Sequence, residues 1–374
     1  GKAISKRQPQ VDATLPDDSR AQLTLGREVS DHGTNYTIRQ FREVPFTPVD
    51  LVNWRTYSVD QMAYLWLAIE NGRSMLFAGG TASGKTTSLN AMSLFVPSNA
   101  KVVSIEDTRE VELPHRNWVA SVTRPSLAAS GRGDVDEFDL LEAALRQRPD
   151  YIVMGEVRGE EGRTLFQITS TGHTTYTTFH AGSVDEVIKR FTNAPIDVSK
   201  TLFTSLDLIS VQAQTRLGGR KVRRNRTITE GTGDDAGADE IFTEDVYRGR
   251  AAGDAFEQVA ESGVLEQVAA DRGWTGDELD DALFERRVVL AYLVANELTT
   301  YAQVAAAIQA YISDPALTLS LMADGALADH LDDLRRIENV AIDIDDRTEA
   351  LVPRPAPDDE VLARAESVLE EAEE

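Results

Sequence analysis

Four short apolar or β-branched runs recur through the middle of the chain, at 74–78 (SMLFA), 101–105 (KVVSI), 151–154 (YIVM) and 174–179 (TTYTTF). Each is continuous rather than alternating, and the segments between them are long enough for crossover helices such as 140–148. That pattern predicts a parallel α/β sheet covered on both faces. Ahead of it, 21–46 alternates like short strands: QLTL, a glycine-containing turn over 31–34, then YTIRQF, with Pro45 and Pro48 closing the segment. This reads as the end of a β-rich N-terminal domain. The opening stretch GKAISKRQPQVDATLPDDSR reads like the interior of a domain, so residues preceding Gly1 are expected. A helix follows the N-terminal strands: Ser58 and Gln61 have capping-box spacing, Met62, Leu65, Trp66 and Ile69 share one face, and Gly72 suits the C-terminal cap.

Past the fourth strand, LDLISVQAQTRL and RKVRRNRTITE flank Gly218-Gly219, the signature of a β-hairpin. GTGDDAGADE after Glu230 reads as a polar linker or loop. Beyond it the period becomes helical. Thr275 and Glu278 repeat the capping-box spacing ahead of Leu279, Leu283 and Leu290, and Tyr301, Val304, Ile308 and Tyr311 make a second apolar stripe that belongs to a core. From Asp324 onward the chain is charged, broken by PRPAP, and expected to be a mobile tail. The expected divisions are 1–53 for the N-terminal piece and linker, 54–250 for the α/β domain, 251–323 for a helical extension and 324–374 for the acidic tail.

Charge sharpens that division. The net charge of -24 over 374 residues is unevenly placed: residues 1–230 hold 27 acidic and 28 basic side chains, whereas 231–374 hold 35 acidic and 10 basic. Lysine is scarce, 7 against 31 arginines, and absent from the acidic third. Acidity combined with few lysines resembles proteins of a salt-rich cytoplasm, the alternative being an acidic tail on an ordinary mesophile protein. There is no cysteine, so disulfides and thiolate metal sites, a zinc ribbon included, are excluded. No run of about 18 apolar residues could cross a bilayer, and no signal peptide opens the chain, so any membrane role is expected to be peripheral.

The strongest chemical signal is GGTASGKTT, made of Gly79, Gly80, Thr81, Ala82, Ser83, Gly84, Lys85, Thr86 and Thr87. It fits the phosphate-binding P-loop, with an apolar strand directly before it and a helical segment directly after. Glycines let backbone N–H groups and a helix N-terminus wrap phosphates, Lys85 should reach the β and γ phosphates, and Thr86 should ligate Mg²⁺. ATP and Mg²⁺ are therefore the expected cofactors. Hydrolysis also needs carboxylates that hold metal and orient water. Glu156 follows YIVMG, and Glu106 with Asp107 follows VVSI, both at strand ends where ligands gather in open α/β sheets. His173 precedes the fourth strand and His180 ends it, a separation that suits neither a helical metal pair nor a zinc signature.

Taken in order, GGTASGKT, IEDTREVELPH, LRQRPDYIVMGEVRGEE and TGHTTYTTFHAGS resemble the four motifs of the type II and type IV secretion ATPases, particularly the archaeal branch that drives type IV pili and the archaellum. The resemblance runs from about Val11 to about Tyr311. It implies a RecA-like P-loop NTPase core with a partial β-rich N-terminal domain and an acidic helical C-terminal extension. It further implies a homo-hexamer with nucleotide between subunits, at the cytoplasmic face of the cell membrane beside an integral membrane platform protein. By the same resemblance Glu156 is the Walker-B acid that shares Mg²⁺ with Thr86, and Glu106 is the base or water-orienting carboxylate. His173 and His180 sense the γ-phosphate, Arg39 and Arg42 match arginines that reach the nucleotide from the N-terminal domain, and Arg158 matches the arginine after the Gly-Glu pair. The missing four-cysteine zinc element favours the archaeal or pilus branches over the bacterial export ones.

Two rivals share the fold. A nucleic-acid motor would need a basic groove, which a core of net charge +1 joined to an extension of -25 offers little of, so nucleic acid is not an expected partner. The basic run Arg220, Lys221, Arg223, Arg224 and Arg226 reads first as a solvated strand edge, with docking to an acidic partner or anionic lipid as the sharper alternative. A non-catalytic, nucleotide-switched assembly subunit is disfavoured by the intact set of Lys85, Thr86, Glu106 and Glu156.

Overall fold

A computed structural model describes residues 3–16, 19–40, 44–124, 133–235, 240–250, 254–337, 342–345 and 350–353. Three N-terminal strands, β1 (Gln10–Thr14), β2 (Arg20–Thr24) and β3 (Asn35–Arg39), form a small antiparallel sheet in that order. Arg20 and Arg39 are directly opposed across β2 and β3, so both side chains leave the same face of this sheet.

Two capped helices lead into the main sheet. α1 (Pro48–Asn53) and α2 (Val59–Glu70) each begin with a complete capping box, Thr47 with Asp50 and Ser58 with Gln61. α2 is buried along almost its whole length, and Gly72 just beyond its end has φ 71°. The chain continues through β4 (Met75–Gly79), α3 (Lys85–Met92), β5 (Val102–Glu106), β6 (Trp118–Val122), α4 (Glu137–Arg146), β7 (Tyr151–Met154), α5 (Glu161–Ser170) and β8 (Thr174–Phe179). Then follow α6 (Val184–Phe191), α7 (Lys200–Phe203), β9 (Leu208–Leu217), β10 (Arg220–Asp235), β11 (Glu240–Arg250) and β12 (Ala255–Gln258). Helices α8 (Gly263–Arg272), α9 (Gly276–Ala295), α10 (Tyr301–Ser313), α11 (Pro315–Ala323) and α12 (Leu327–Ile337) complete the main body.

The nine-stranded sheet has the order β12-β11-β10-β9-β4-β8-β7-β5-β6. From β9 to β6 every pairing is parallel; β9 to β12 are joined antiparallel. Successive side chains of a strand point to opposite faces, and the core divides accordingly. Met75 and Phe77 pack with α2 and the C-terminal helices, while Leu76 and Ala78 pack with Leu165, Phe166, Phe191 and Phe203 on the other side.

Two sequence expectations are corrected here. The segment after Glu230 is not a free linker: 231–235 complete β10 and Glu240 opens β11, whose pairing with β10 absorbs the glycines through register shifts at 228/229 and 231/233. Nor is the whole chain after Asp324 a mobile tail, because Leu327, Leu331 and Leu334 of α12 are buried in the same cluster as α10. The residues called an extension share one hydrophobic core with α2. Trp66 stacks on Phe95 at 5.1 Å and meets Tyr311 edge-on at 5.2 Å, and Arg286 forms a buried ion pair with Glu70 at 2.6 Å.

Candidate nucleotide site

Parallel strands place all their C-terminal ends at one edge of the sheet, and there the loops after β4, β5, β7 and β8 surround a cavity of about 660 Å³. The loop after β4 is the predicted P-loop. Gly84, with φ 98°, caps α3, and Ala82 is also left-handed at φ 60°, so the backbone curls before the helix begins. A Cβ on Gly79 would stand 2.3 Å from Ser83 Oγ and 2.6 Å from the Gln212 carbonyl, so only glycine lets the strand end this close to its neighbours. The result is a helix N-terminus facing open space, where N–H groups and the helix dipole favour an anion.

Thr81, Ala82, Ser83, Gly84, Lys85, Thr86 and Thr87 line the cavity; Gly79 and Gly80 hold the loop behind them. Lys85 Nζ has only a long contact, 3.4 Å, to the Gly80 carbonyl. Burial lowers its pKa, while Glu156 and Glu110 pull it back up.

Glu106 ends β5 at 3% exposure. Its Oε1 accepts N–H bonds from Glu110 at 2.9 Å and Val111 at 3.0 Å, while Oε2 is buried without a partner. Burial pushes its pKa up to about 8 against the pull of those two bonds. Burial thus favours the protonated acid at neutral pH, and the free oxygen can take a proton from water only once the group is ionised, as a cation bound in the cavity would favour. Glu156, just past β7, is half-buried and bonded to Arg158 Nε at 2.9 Å. Arg158 also approaches Asp107 at 3.6 Å.

The N-terminal sheet closes the cavity with its arginine face: Arg39 pairs with Glu110 at 2.8 Å and Arg20 approaches Asp107 at 3.8 Å. Arg42 lies outside the described residues. His180, directly after β8, lines the cavity. His173 does not. It precedes β8, whose six residues at about 3.3 Å each put it roughly 20 Å away at the opposite edge of the sheet. There it lines a second cavity with Asn71, Asp150 and Thr171. The expectation that both histidines meet the γ-phosphate is corrected for the subunit that carries them: β8 runs parallel to β4, so only its C-terminal end reaches the P-loop.

Sequence reasoning missed Arg20, Glu110 and Arg223 as cavity residues. Arg223 belongs to the basic run read as a solvated edge, yet its Nε donates to the Ala82 carbonyl at 2.9 Å. The signal was the alternation of β10 itself, which sends Lys221 and Arg223 to one face and Val222 and Arg224 to the other.

The residues fit MgATP. Ser83 Oγ and Glu106 Oε2 are orphaned buried oxygens beside a curled backbone and a lysine, and the volume suits a nucleotide. Among the described residues no group of three or more His, Asp or Glu could hold a metal by itself. Mg²⁺ in phosphate sites is commonly held by one or two protein oxygens plus the phosphates, a role open to Thr86 and Glu156.

The sequence profile of the type II/IV secretion system proteins matches residues 3–266. An uncharacterised protein of Methanocaldococcus jannaschii is 39% identical over 308 residues, spanning 81% of this chain but 56% of that protein. A second, uncharacterised too and from the same organism, is 43% identical over 246 residues, spanning 66% of this chain and 91% of that one. Among solved structures, the pilus retraction motor PilT with bound ADP is 22% identical, with 59% of this chain and 62% of that one covered and a TM-score of 0.43. The profile match takes in the N-terminal arginine face, the P-loop and all four strand-end loops of the cavity, and this chain belongs to the type II/IV secretion system ATPase family.

Proposed function

We propose that this chain hydrolyses ATP as the motor of a pilus, archaellum or protein-export system. The observation that carries the reading is the meeting, at one sheet edge, of Lys85 and Thr86 with two strand-end carboxylates of different character. Lys85 and the α3 N-terminus bind the β and γ phosphates. Thr86 and Glu156 hold Mg²⁺, which supplies charge neutralisation on the transferring phosphoryl group. Glu106 takes the proton of the attacking water through its free Oε2. Arg39 and Arg158, each held by a carboxylate, are positioned to swing onto developing phosphate charge.

The chain acts as a homo-hexamer with nucleotide at its interfaces. Support comes from β3, where Tyr36 and Ile38 are 68% and 60% exposed on one face of an edge strand, apolar surface suited to a second copy. Among the described residues no helix is long and apolar enough to cross a membrane. In this reading the motor works peripherally at the inner face of the membrane, passing domain rotation to an integral platform protein. The acidic, lysine-poor chain works in high salt.

The test is Mg²⁺-dependent phosphate release in high salt, comparing the intact chain with Lys85→Ala and Glu156→Gln while recording oligomeric mass. Hydrolysis that rises with concentration and is abolished by both substitutions supports the motor. An assembled ring that binds nucleotide without turnover replaces it with a switch, and salt-sensitive DNA binding would favour the nucleic-acid motor.

A further inference from the structure

Four arginines line the cavity, and three are already committed to carboxylates: Arg20 to Asp107, Arg39 to Glu110, and Arg158 to Glu156 and Asp107. Arg223 is the exception. Among the described residues it has no acidic partner; its Nε donates to the Ala82 carbonyl. That carbonyl belongs to a non-glycine residue held left-handed at φ 60°, at the crest of the phosphate loop. The Arg223 Cδ also packs over Gly84, where a Cβ would stand 3.1 Å from it. The side chain therefore packs along the loop through its Cδ and Nε.

A guanidinium offers five N–H donors in a fixed fork, and one is spent on Ala82. Arg223 borders the same cavity as Lys85 and the α3 N-terminus, from the β9–β10 side of the loop, opposite Glu106 and Glu156. We infer that Arg223 is a nucleotide-contacting residue: it fixes the left-handed turn of the phosphate loop through Ala82 and uses its free donors on the phosphate chain. Its counter-charge is the substrate, whereas the other three arginines must first release a carboxylate. Because it sits away from the two carboxylates that handle water and metal, its contribution falls on binding and leaves the chemical step largely unchanged.

This inference rests on the nucleotide reading of the cavity. The test uses the full chain and measures equilibrium binding of ATP, competition by tripolyphosphate and by adenosine, and steady-state kinetics, for the intact protein, Arg223→Ala and Arg223→Lys. Arg223 is exposed, so both variants should fold; melting temperature and oligomeric mass check that they do. Loss of a charge-assisted bond predicts about tenfold or more weaker ATP and tripolyphosphate binding in Arg223→Ala, a matching rise in KM, and kcat within about threefold. Arg223→Lys should recover part of the tripolyphosphate affinity, since it keeps the charge but loses the fork. Unchanged ATP affinity in Arg223→Ala overturns the inference, as does weakening of adenosine but not tripolyphosphate binding, which would make it a base contact. If the intact chain binds no nucleotide, the parent reading fails first.

Discussion

The parallel strands end in a cavity at each edge of the sheet, of about 660 and about 580 Å³, and the two differ in how their polar groups are used. At the edge that holds His173, several polar groups are committed to structure, although Arg73 Nε and Gln147 Oε1 are buried there without partners. The Tyr151 and Tyr176 hydroxyls donate to the Ile69 carbonyl at 3.2 and 3.3 Å, and Glu70 is locked to Arg286. At the P-loop edge, Glu106 Oε2 and Ser83 Oγ are buried without partners, and Lys85 has only a long contact. Satisfied polar groups rigidify a fold; unsatisfied ones cost stability and persist where a ligand completes them. The same sheet thus carries a structural edge and a reactive edge.

The largest effect that tests this contrast belongs at the reactive edge. Lys85→Ala and Glu156→Gln are each expected to lower phosphate release by on the order of 10³-fold, since the first removes positive charge facing the transferring phosphoryl group and the second a carboxylate that would hold Mg²⁺ there; a loss below about tenfold would show the cavity is not the hydrolytic site. At the structural edge the cost should appear in folding. Arg286→Met strands Glu70 as a buried charge and is expected to destabilise by about 3–5 kcal/mol in denaturant titration, while kcat of the folded fraction stays near that of the intact chain. Equal loss of turnover per folded molecule would erase the distinction between the edges.

Glu106 makes the contrast visible in pH. Its folded pKa of about 8 lies above the ordinary 4.5, so the folded chain keeps a proton that the unfolded chain releases. The associated stability is present below pH 4.5 and lost as pH rises through 8. Glu106→Gln cannot ionise, so without nucleotide it should be more stable than the intact chain at pH 8, on the order of 4 kcal/mol, and the two melting curves should converge near pH 4.5. Hydrolysis by the same variant should nearly vanish. A variant less stable than the intact chain at pH 8 would show that the carboxylate is structural.

The smallest expected effect is the most diagnostic of geometry. His180→Ala should lower turnover by about tenfold or more, in the range of a positioned acid–base or hydrogen-bonding group, whereas His173→Ala should change it less than about twofold. Comparable losses would mean that His173 serves the site of a neighbouring subunit, joining the two edges across an interface.

Much of this was legible in the residues because the signals are local. Ser58 with Gln61 and Thr275 with Glu278 cap their helices as their spacing predicts, since a cap is decided within four residues. The Gly218-Gly219 hairpin and the four buried strands follow from turn chemistry and from apolar runs that only a covered sheet can use. β6 and β11 were not legible. Trp118–Val122 is only partly buried, and β11 gains its strand character from a sixteen-residue partner rather than from its own apolar period.

The sequence by itself determined the phosphate loop, the strand-end carboxylates and the alternation of strands and helices, because each depends on contacts within one turn or one strand. Tertiary structure alone decided which histidine of TGHTTYTTFH faces the loop, that a basic hairpin strand sends Arg223 to Ala82 across 141 residues, and that acidic helices share a core with α2. Those outcomes depend on strand direction, register and long-range packing, which no local pattern encodes.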